Sequence, residues 1–413
     1  MKLPVIAFRN LSRNRRRSIL SLSAIAVTSI VMVFMLGLIA WMKDDIRSNI
    51  TTYIAGDIRI RNELFVDEEE GNPLEFLVED LDQIRNIVEA RPEVIAVSPR
   101  IHLGTAIYRD GKTIPALGMA IDFADEEEFL DFSDFLIEGT VPAEGSSQAV
   151  FSRPLADKLG IGMGDRITLL LNTRRRSSNA VTLEVSGIAE FDGVSINQET
   201  FFAPLNLMQR ITRTGDSVME LLIRTNINNA DINALELLAE DIRRELPADP
   251  PLQISPWNEA SDFWALMRFA DITYGIMGAV FFLLGSTVII NTTIMTIYER
   301  HREIGTLGAM GMESGTIVRL FFTEATFLGV FGAAIGTLLG YLLAIPVMNT
   351  GIPLYDSFMS EFGAELSTRL YILVKPGTLI YVFVFASLIA SLSSYLPARR
   401  ASRIKPVEAL RQE

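Results

Sequence analysis

Four long stretches without a single charged side chain set the strongest limit on how this chain can fold. They are residues 18–42, 272–298, 325–355 and 376–398, and a charged residue stands on either side of each. About 20 residues of α-helix cross a hydrocarbon core of roughly 30 Å. Helices of soluble proteins average only about 10 to 14 residues. The chain is therefore predicted to be a membrane protein with four transmembrane α-helices.

Two prolines shorten the third of these helices. Pro346 and Pro353 fall late in its uncharged stretch, and proline disrupts the interior of a helix. We therefore expect the third membrane helix at 325–345 and an extracytoplasmic loop at 346–375. The segment between the first and second helices, residues 43–271, is long enough to form a folded domain of its own.

The residue types that the chain lacks exclude several classes of protein. It has no cysteine, which excludes a disulfide scaffold, a thiol nucleophile and a cysteine-ligated metal centre. Its two histidines, His102 and His301, are far apart in sequence, so neither a histidine-rich zinc site nor a Ser/His/Asp catalytic group is expected. The net charge of −13 argues against nucleic acid as a partner.

The distribution of basic residues predicts the orientation in the membrane. Residues 1–17, 299–324 and 399–413 together carry 14 basic and six acidic residues, whereas residues 43–271 carry 21 basic and 41 acidic residues. Short cytoplasmic segments are enriched in Lys and Arg. Both termini and the loop 299–324 are therefore predicted to be cytoplasmic, with residues 43–271 outside.

The N-terminal stretch differs from a cleaved signal peptide. Its uncharged run has 25 residues, and no cleavage site of small residues precedes Trp41. We expect an uncleaved anchor. Residues 3–11 are apolar and lie beside a cluster of arginines, which is typical of an amphipathic helix on the inner membrane surface. A disordered basic tail is the alternative.

The segment 43–271 alternates between strand and helix patterns, which predicts an α+β extracytoplasmic domain inserted between the first and second membrane helices. The same order of strand, helix and strand occurs near each end of the segment. Two β-α-β units are therefore predicted, the first with its elements at 56–61, 77–90 and 94–98 and the second at 220–224, 231–246 and 252–255.

Turn signals separate short elements between these two units. Asp110-Gly111 suits the tight turn of a hairpin over 108–114. Residues 155–170 are interpreted as a helix, a glycine turn and a strand. Residues 174–179, RRRSSN, are predicted to be an exposed hairpin tip. A binding patch for an anionic ligand is the alternative at this tip.

Motifs that resemble catalytic sites fail on spacing. Gly111-Lys112-Thr113 resembles the end of a phosphate-binding loop, but Ala106 stands where that motif requires glycine. The acidic run 125–128 lacks the spacing of a calcium loop and is predicted to be a solvated loop. The chain is accordingly predicted not to be an enzyme and to hold no cofactor or metal.

The third predicted membrane helix carries a row of glycines. They are Gly329, Gly332, Gly336 and Gly340, the last three spaced four residues apart. Glycine destabilises a helix relative to alanine, but in lipid small residues let helices approach closely. Packing within the chain and a dimer interface both remain open. Glu324, just before this helix, is interpreted as an interfacial acid near a helix N-terminus.

The loop after the second membrane helix, ERHREIGTLGAMG at 299–311, combines two repeats of period three. A short helix with this pattern has an apolar ridge flanked by charges and glycines. It is either an amphipathic connector or a docking surface for a soluble partner. The repeating positions are Ile304, Leu307 and Met310 in one set and Gly305, Gly308 and Gly311 in the other.

The chain resembles the FtsX-like permease family of ABC transporters in three segments, which are ERHREIGTLGAMG, FFTEATFLGVFGAAIGTLLGYLLA and LPARRASRIKPVEALR. The opening AFRNLSRNRRRSILS also resembles that family's amphipathic entry to its first helix. Within the family, the chain is similar to permeases of the lipoprotein-releasing and macrolide-exporting type. The macrolide exporters carry a fused N-terminal ATPase, which this sequence does not show, so the lipoprotein-releasing subunits are the nearer group.

The resemblance implies a pair of subunits in the bacterial inner membrane, identical or different, that works with a cytoplasmic ABC ATPase dimer. Closure of the ATPases on ATP would move the long first and second helices and, through them, the outer domain. The resemblance also implies that residues 299–311 form the coupling helix that the ATPase contacts. The residues that match the family there are Glu299, Arg302, Glu303, Ile304, Gly305, Leu307, Met310 and Gly311.

Two classes of function follow from the resemblance. The first is a permease that releases or extrudes a membrane-embedded substrate, with lipoproteins as the expected cargo and a periplasmic carrier as a further partner. An efflux permease of a tripartite system is a variant of this class. The second class is a relay that transports nothing and activates a cell-wall hydrolase outside the cell. Relay members usually have a smaller outer domain, so the length of 43–271 favours transport.

Overall fold

The computed structural model of the chain divides into two compact units. The helical unit comprises residues 1–43, 266–353 and 369–413, and the β-rich unit comprises residues 44–265 and 354–368. Within these units the structure describes residues 7, 9, 15–67, 74–109, 112–191, 200–247, 249–259, 263–310, 312–353 and 369–401.

The elements are numbered here in chain order. A π-helical turn, Ile50–Ile54, follows the first helix, and a 3-10 turn, Phe132–Phe135, follows the fourth. The helices are α1 (Arg15–Asn49), α2 (Glu63–Asp67), α3 (Leu81–Glu89), α4 (Phe123–Leu130), α5 (Arg153–Leu159), α6 (Leu205–Thr212), α7 (Ile232–Glu245), α8 (Phe263–Glu299), α9 (His301–Ala309), α10 (Ser314–Thr350), α11 (Pro376–Ser393) and α12 (Tyr395–Ala401). The strands are β1 (Ile58–Asn62), β2 (Val94–Arg109), β3 (Lys112–Ile121), β4 (Leu136–Gly139), β5 (Gln148–Ser152), β6 (Arg166–Asn172), β7 (Ser178–Ala189), β8 (Thr200–Pro204), β9 (Glu220–Thr225), β10 (Leu252–Pro256), β11 (Ile352–Pro353) and β12 (Arg369–Leu370).

Three helical segments of the described chain are long and apolar enough to cross a membrane. They are Ser18–Ile54, Ser314–Thr350 and Pro376–Arg400. Helix α8 contains a shorter apolar stretch, Ile272–Thr287. The structure therefore confirms membrane-length helices at the first, third and fourth of the predicted positions, with an apolar helix at the second.

Helix α10 is longer at both ends than the helix predicted at 325–345. It begins at Ser314, within the expected cytoplasmic loop, and continues through Pro346 to Thr350. Membrane helices tolerate an internal proline because side chains and neighbouring helices can satisfy the freed backbone groups. Pro346 removes the backbone donor that would face the Leu342 carbonyl oxygen, but the helix continues for four more residues. Pro346 therefore lies inside the helix rather than marking its end.

In the β-rich unit, the structure contains both predicted β-α-β units. The first is formed by β1, α3 and β2, and the second by β9, α7 and β10. The strands of the two units interleave in the order β10-β1-β9-β2, and each neighbouring pair is antiparallel. This is the split β-α-β arrangement of ferredoxin-like sheets. Two units at opposite ends of the domain sequence thus form one sheet.

Strands β3, β5, β6, β7 and β8 close into a barrel that shares β2 with this sheet, and β4 pairs with the edge of β7. Pairing runs through β2, β3, β8, β5, β7 and β6 and returns to β2. Strand β2 serves both structures because it extends to Arg109, well beyond the predicted end at 98. Arg109 pairs with Lys112, which confirms the predicted hairpin, although its turn residues 110 and 111 lie outside the described residues.

An aromatic cluster fills part of the β-rich core. Phe132, Phe191 and Phe202 are each at most 2% exposed, and their ring centroids lie 5.1 to 5.8 Å apart. Tyr53, in the turn that follows α1, belongs to the same cluster. The edge-to-face and tilted contacts among these rings stabilise the core beyond the effect of burying apolar area alone.

The prediction that the acidic run 125–128 is a solvated loop is wrong, because these residues lie on α4. The Glu126 carboxylate is buried and accepts hydrogen bonds from Arg100, which is fully buried. Asp125 accepts two hydrogen bonds from Arg85, of 2.6 and 2.7 Å. The bond to Asp125 contributes most to raising the pKa of the Arg85 guanidinium. The run looked exposed in sequence because both arginines lie elsewhere in the chain.

A second buried carboxylate, Glu220, lies in the ferredoxin-like sheet. It is fully buried on β9, and it accepts a 2.9 Å hydrogen bond from Arg61 and approaches Arg59 at 3.8 Å. The His102 Nε2 lies 2.6 Å from its other oxygen. Burial alone would raise the pKa of Glu220, but His102, Arg61 and Arg59 outweigh it and hold that pKa below its usual range. Glu220 therefore remains ionised at neutral pH.

The predicted hairpin tip at 174–179 lies where β6 turns into β7, although Ser178 and Asn179 already belong to β7. Two of its three arginines have carboxylate partners: Arg174 lies 2.9 Å from Glu79, and Arg176 lies 3.0 Å from Glu75. These pairs offset much of the positive charge that an anionic ligand would need. The contacts support the exposed-tip interpretation over the anion-binding one.

Candidate functional site

The chain turns sharply after the long helix α8 and enters a short helix. Helix α8 ends at Glu299, Arg300 occupies the turn, and α9 begins at His301. The Ile304 backbone N–H donates to the Arg300 carbonyl oxygen over 2.9 Å, and that of Met310 donates to Thr306 over 3.0 Å. The structure therefore confirms the short helix expected within 299–311.

One face of α9 is fixed by an apolar cluster. Ile304 is 5% exposed and lies in a cluster with Ile297 from α8, Ile317 and Phe321 from α10, and Ala398 from α12. Each of these side chains is at least nine-tenths buried. Four helices thus meet at this point, and α9 is held against all three of the others.

An arginine ties α9 to α10 beside this cluster. The Arg300 Nε donates to Glu303 on α9 over 2.8 Å, and its Nη1 donates to Glu324 on α10 over 3.3 Å. The side chains of Arg300 and Glu324 are only 13% and 11% exposed. A guanidinium can donate in several directions within one plane, which suits the bridging of two carboxylates.

The opposite face of α9 is open. Met310, just after the helix, is 71% exposed, and the Glu303 side chain is 50% exposed. Glu299 and Arg302 are also exposed. An exposed methionine is suited to contact with a protein partner, since thioether side chains adapt to irregular surfaces.

The other residues predicted to contact the ATPase either do not lie on the open face of α9 or have side chains outside the described residues. Ile304 faces the cluster and Gly305 is buried, so neither lies on the open face. Ile304 therefore holds α9 to its own chain and is not available to a partner as part of the apolar ridge. The side chain of Leu307 and all of Gly311 lie outside the described residues.

The four glycines of α10 pack against helices of the same chain. A Cβ added to Gly336 would lie 2.5 Å from the Ala26 carbonyl oxygen of α1, and one on Gly340 would lie 3.1 Å from the Val33 Cβ. Gly332 faces Ile25 of α1, and Gly329 faces α11, where a Cβ would lie 2.8 Å from the Ala390 Cβ. These contacts support packing within the chain and leave no room for a second chain at the glycine row.

Sequence reasoning missed the pairing of Arg300 with Glu324. The signal was present, because Glu324 is the last charge before a long uncharged run and Arg300 is the first base after the previous one. Two opposite charges that border successive membrane helices on the same side of the membrane are candidates for pairing, since each would otherwise face lipid. The interpretation of Glu324 as a helix N-terminal acid does not hold, because α10 begins at Ser314.

The β-rich unit contains a groove of about 590 Å³ on its barrel strands. Its lining includes Gly104, Ala106, Leu117 and Leu170 and contains no titratable side chain. Among the described residues, no group of three or more His, Asp or Glu side chains is placed to hold a metal ion. The groove therefore does not resemble a catalytic centre.

Three curated relatives differ in how much of the chain they match. An uncharacterized ABC transporter permease of Methanocaldococcus jannaschii, MJ1507, is 33% identical over 34% of this chain and 33% of its own length. The lipoprotein-releasing system transmembrane protein LolC of Haemophilus influenzae is 24% identical over 79% of this chain and 80% of its own. The macrolide export ATP-binding/permease protein MacB of Chromobacterium violaceum is 27% identical over 35% of this chain and 20% of its own.

Two family models together account for most of the chain. Residues 18–243, more than half of it, match the MacB-like periplasmic core domain. Residues 275–406, which include α9 and the glycine row of α10, match the FtsX-like permease C-terminal region. The chain belongs to the FtsX-like permease family of ABC transporters and carries a MacB-like periplasmic core domain.

Proposed function

We propose that this permease receives motion from a separate cytoplasmic ABC ATPase dimer at α9 and uses it to release lipoproteins from the inner membrane. The observation that carries this proposal is the two-faced environment of α9. One face is held by Ile304 and Arg300, while Met310, Arg302 and Glu303 are open. A helix fixed to its own chain on one side and exposed on the other can pass a push from a bound partner into the membrane helices.

The proposal requires a defined orientation in the membrane. It places α1, α8, α10 and α11 across the bilayer, both termini and α9 in the cytoplasm, and the β-rich unit outside. The excess of basic residues in segments 1–17, 299–324 and 399–413 supports this orientation. A second permease subunit, identical or different, would complete the complex.

An enzyme reporter fused at Asn179, near the start of β7 and beside the β6–β7 turn, tests the orientation. We expect alkaline phosphatase to be active there and β-galactosidase to be inactive, because the former folds only outside the cytoplasm. A matched pair of fusions after Gly315, at the start of α10, should give the reverse result. Active β-galactosidase at Asn179 would contradict the orientation and with it the cytoplasmic position of α9.

Met310→Asp tests the docking of the ATPase. A buried apolar anchor at an interface typically contributes about 2 kcal/mol or more, so the variant should bind the ATPase roughly 30-fold more weakly. Co-purification of the ATPase with the tagged full-length permease measures this effect. The permease itself should remain inserted and folded, because Met310 is 71% exposed and contributes little to its own core.

Met163→Asp is the matched control, since Met163 is an exposed methionine of the β-rich unit. It should leave co-purification unchanged. Ile304→Asp should act differently from Met310→Asp, because it places a charge in the apolar cluster and should lower the stability of the permease itself. Equal ATPase binding by wild type and Met310→Asp would contradict the docking assignment.

The lipoprotein assignment follows from the extent of the match to LolC, which covers 79% of this chain, compared with 35% for MacB. An efflux permease is the second candidate, because residues 18–243 match the MacB-like core domain. Mass spectrometry of proteins that co-purify with the permease separates the two. Lipoproteins and a periplasmic carrier support release, an adaptor and an outer-membrane channel support efflux, and a cell-wall hydrolase would overturn both in favour of a relay.

A further inference from the structure

Glu324 is an acidic residue within a helix of membrane length. It lies in α10, in the apolar span Ser314–Thr350, and is 8% exposed. An ionised side chain in such a span is costly unless it is paired, and residues of this kind usually serve a function. One partner of Glu324 is Arg300, and the closest side-chain atoms of the two residues are 3.3 Å apart. The pair therefore links the turn before α9 to a membrane helix that is not adjacent to it in the chain.

We propose that Arg300 and Glu324 form a clasp that makes α9 and α10 move as one body. Helix α10, in addition to α8, then carries motion from α9 to α1. This inference rests on the proposed function, since α9 must receive the motion from an ATPase. Arg300 and Glu324 are positioning residues, because neither lies on the open face of α9.

The first half of this route joins α9 to α10 by two kinds of contact. The Arg300 guanidinium contacts a carboxylate on each helix, Glu303 at 2.8 Å and Glu324 at 3.3 Å. Ile304 packs with Ile317 and Phe321 of α10 in the adjacent cluster. The ion pairs fix the orientation of α9 relative to α10, and the apolar contacts exclude water from between the two helices. A tilt of α9 would therefore break the ion pairs and the apolar contacts together.

The second half of the route joins α10 to α1. At Gly336 and Gly340 the surface of α10 lies against the backbone and Cβ atoms of Ala26 and Val33. Helices in such close contact resist sliding past one another, because a close-packed interior has low compressibility and transmits a displacement. A shift of α10 is therefore passed directly to α1, the helix that leads into the β-rich unit in sequence.

Hydrogen exchange of the α9 backbone amides in the full-length permease, in lipid nanodiscs without the ATPase, tests the clasp. Arg300→Ala and Glu324→Gln should each raise the exchange rate of residues 301–309 about tenfold. Arg300→Lys should give a smaller rise, because one ammonium cannot match the two directed contacts of the guanidinium. Arg319→Ala, at an exposed arginine of α10, is the matched control and should leave exchange unchanged. Wild-type exchange in Glu324→Gln, the mildest variant, would overturn the clasp.

The route from α9 through α10 to α1 is tested by measuring the ATP hydrolysis rate of the co-purified ATPase with and without the permease. The difference between the two rates is the quantity compared among variants. Arg300→Ala should bind the ATPase normally but reduce this difference about fivefold or more. Gly340→Ala should reduce it as well while leaving α9 exchange as in wild type, since it acts on the α10–α1 contact only. If no ATPase binds the wild type, the proposed function fails and the inference fails with it. In the remaining outcome, the ATPase binds while Arg300→Ala and Gly340→Ala both change its ATP hydrolysis as much as the wild type does. That result would overturn the route through α10 and leave the proposed function standing.

Discussion

Gly336→Leu is expected to prevent the close approach of α10 to α1 and to destabilise the helical unit severely. Even a Cβ at this position would lie 2.5 Å from the Ala26 carbonyl oxygen and 2.7 Å from the Ala26 Cα and the Ser29 Cβ. These are backbone atoms and a short side chain, so they cannot rotate away. Overpacking of a close-packed interior costs about 1 to 3 kcal/mol and occasionally more. We expect the upper end of this range, because the whole helix must move to admit leucine.

The thermal stability of the full-length permease in detergent is measured as the temperature at which the protein aggregates. Gly315→Leu is the matched control, because Gly315 begins the same helix, is exposed and has no atom within 4 Å of an added Cβ. That variant should be as stable as the wild type. Unaltered stability of Gly336→Leu would mean that α10 and α1 are not packed as the structure shows.

The same variants separate the two interpretations that the sequence leaves open for the glycine row. A row of small residues every four positions indicates a surface for close helix packing, but not which helix occupies it. The structure places Ile25, Ala26 and Val33 of α1 against it. A loss of stability in the isolated permease supports this assignment, whereas a loss of dimers alone would support an interface between chains.

Elements whose signals are local in sequence were predicted well. The uncharged runs predicted the membrane-length helices, and the alternation of apolar and polar residues predicted β1, β9, α7 and β10 to within one or two residues. These predictions succeed because length and periodicity reflect the direct environment of each residue. The order β10-β1-β9-β2 could not be derived in the same way, since it depends on which distant strands pair.

Charged residues were predicted least well. The sequence suggests that Asp125 and Glu126 face water, because charged side chains are seldom buried. Both are instead paired with arginines that lie 40 and 26 positions away in the chain. The pairing of Arg300 with Glu324 spans 24 positions. Partners at such separations are set by the tertiary fold, so the sequence at most marks candidates for pairing, as the positions of Arg300 and Glu324 at the ends of uncharged runs do.

The fully buried Glu220 provides the second large effect, in the β-rich unit. Glu220→Gln removes the negative charge next to Arg59 and Arg61, which are 6% and 7% exposed. Removing one partner of a buried ion pair typically costs about 3 to 5 kcal/mol, because the remaining charge stays buried without that compensation. We expect a destabilisation of this size at pH 7. Glu138→Gln, at a carboxylate that is 52% exposed and 3.5 Å from Arg153, should change stability by well under about 1 kcal/mol.

The difference between wild type and Glu220→Gln should also depend on pH. The pKa of Glu220 is lowered in the folded state from an ordinary value of about 4.5. A lowered pKa contributes stability that is complete above the unfolded-state value and is lost as the pH falls through the folded-state value. The stability difference should therefore be present at about pH 5 and shrink in stronger acid. Fluorescence of the buried Trp257, in full-length permease with Trp41→Phe and Trp264→Phe, can follow the unfolding of this unit. A difference that is small at pH 7 and grows in acid would show that Glu220 is not held ionised by Arg59, Arg61 and His102.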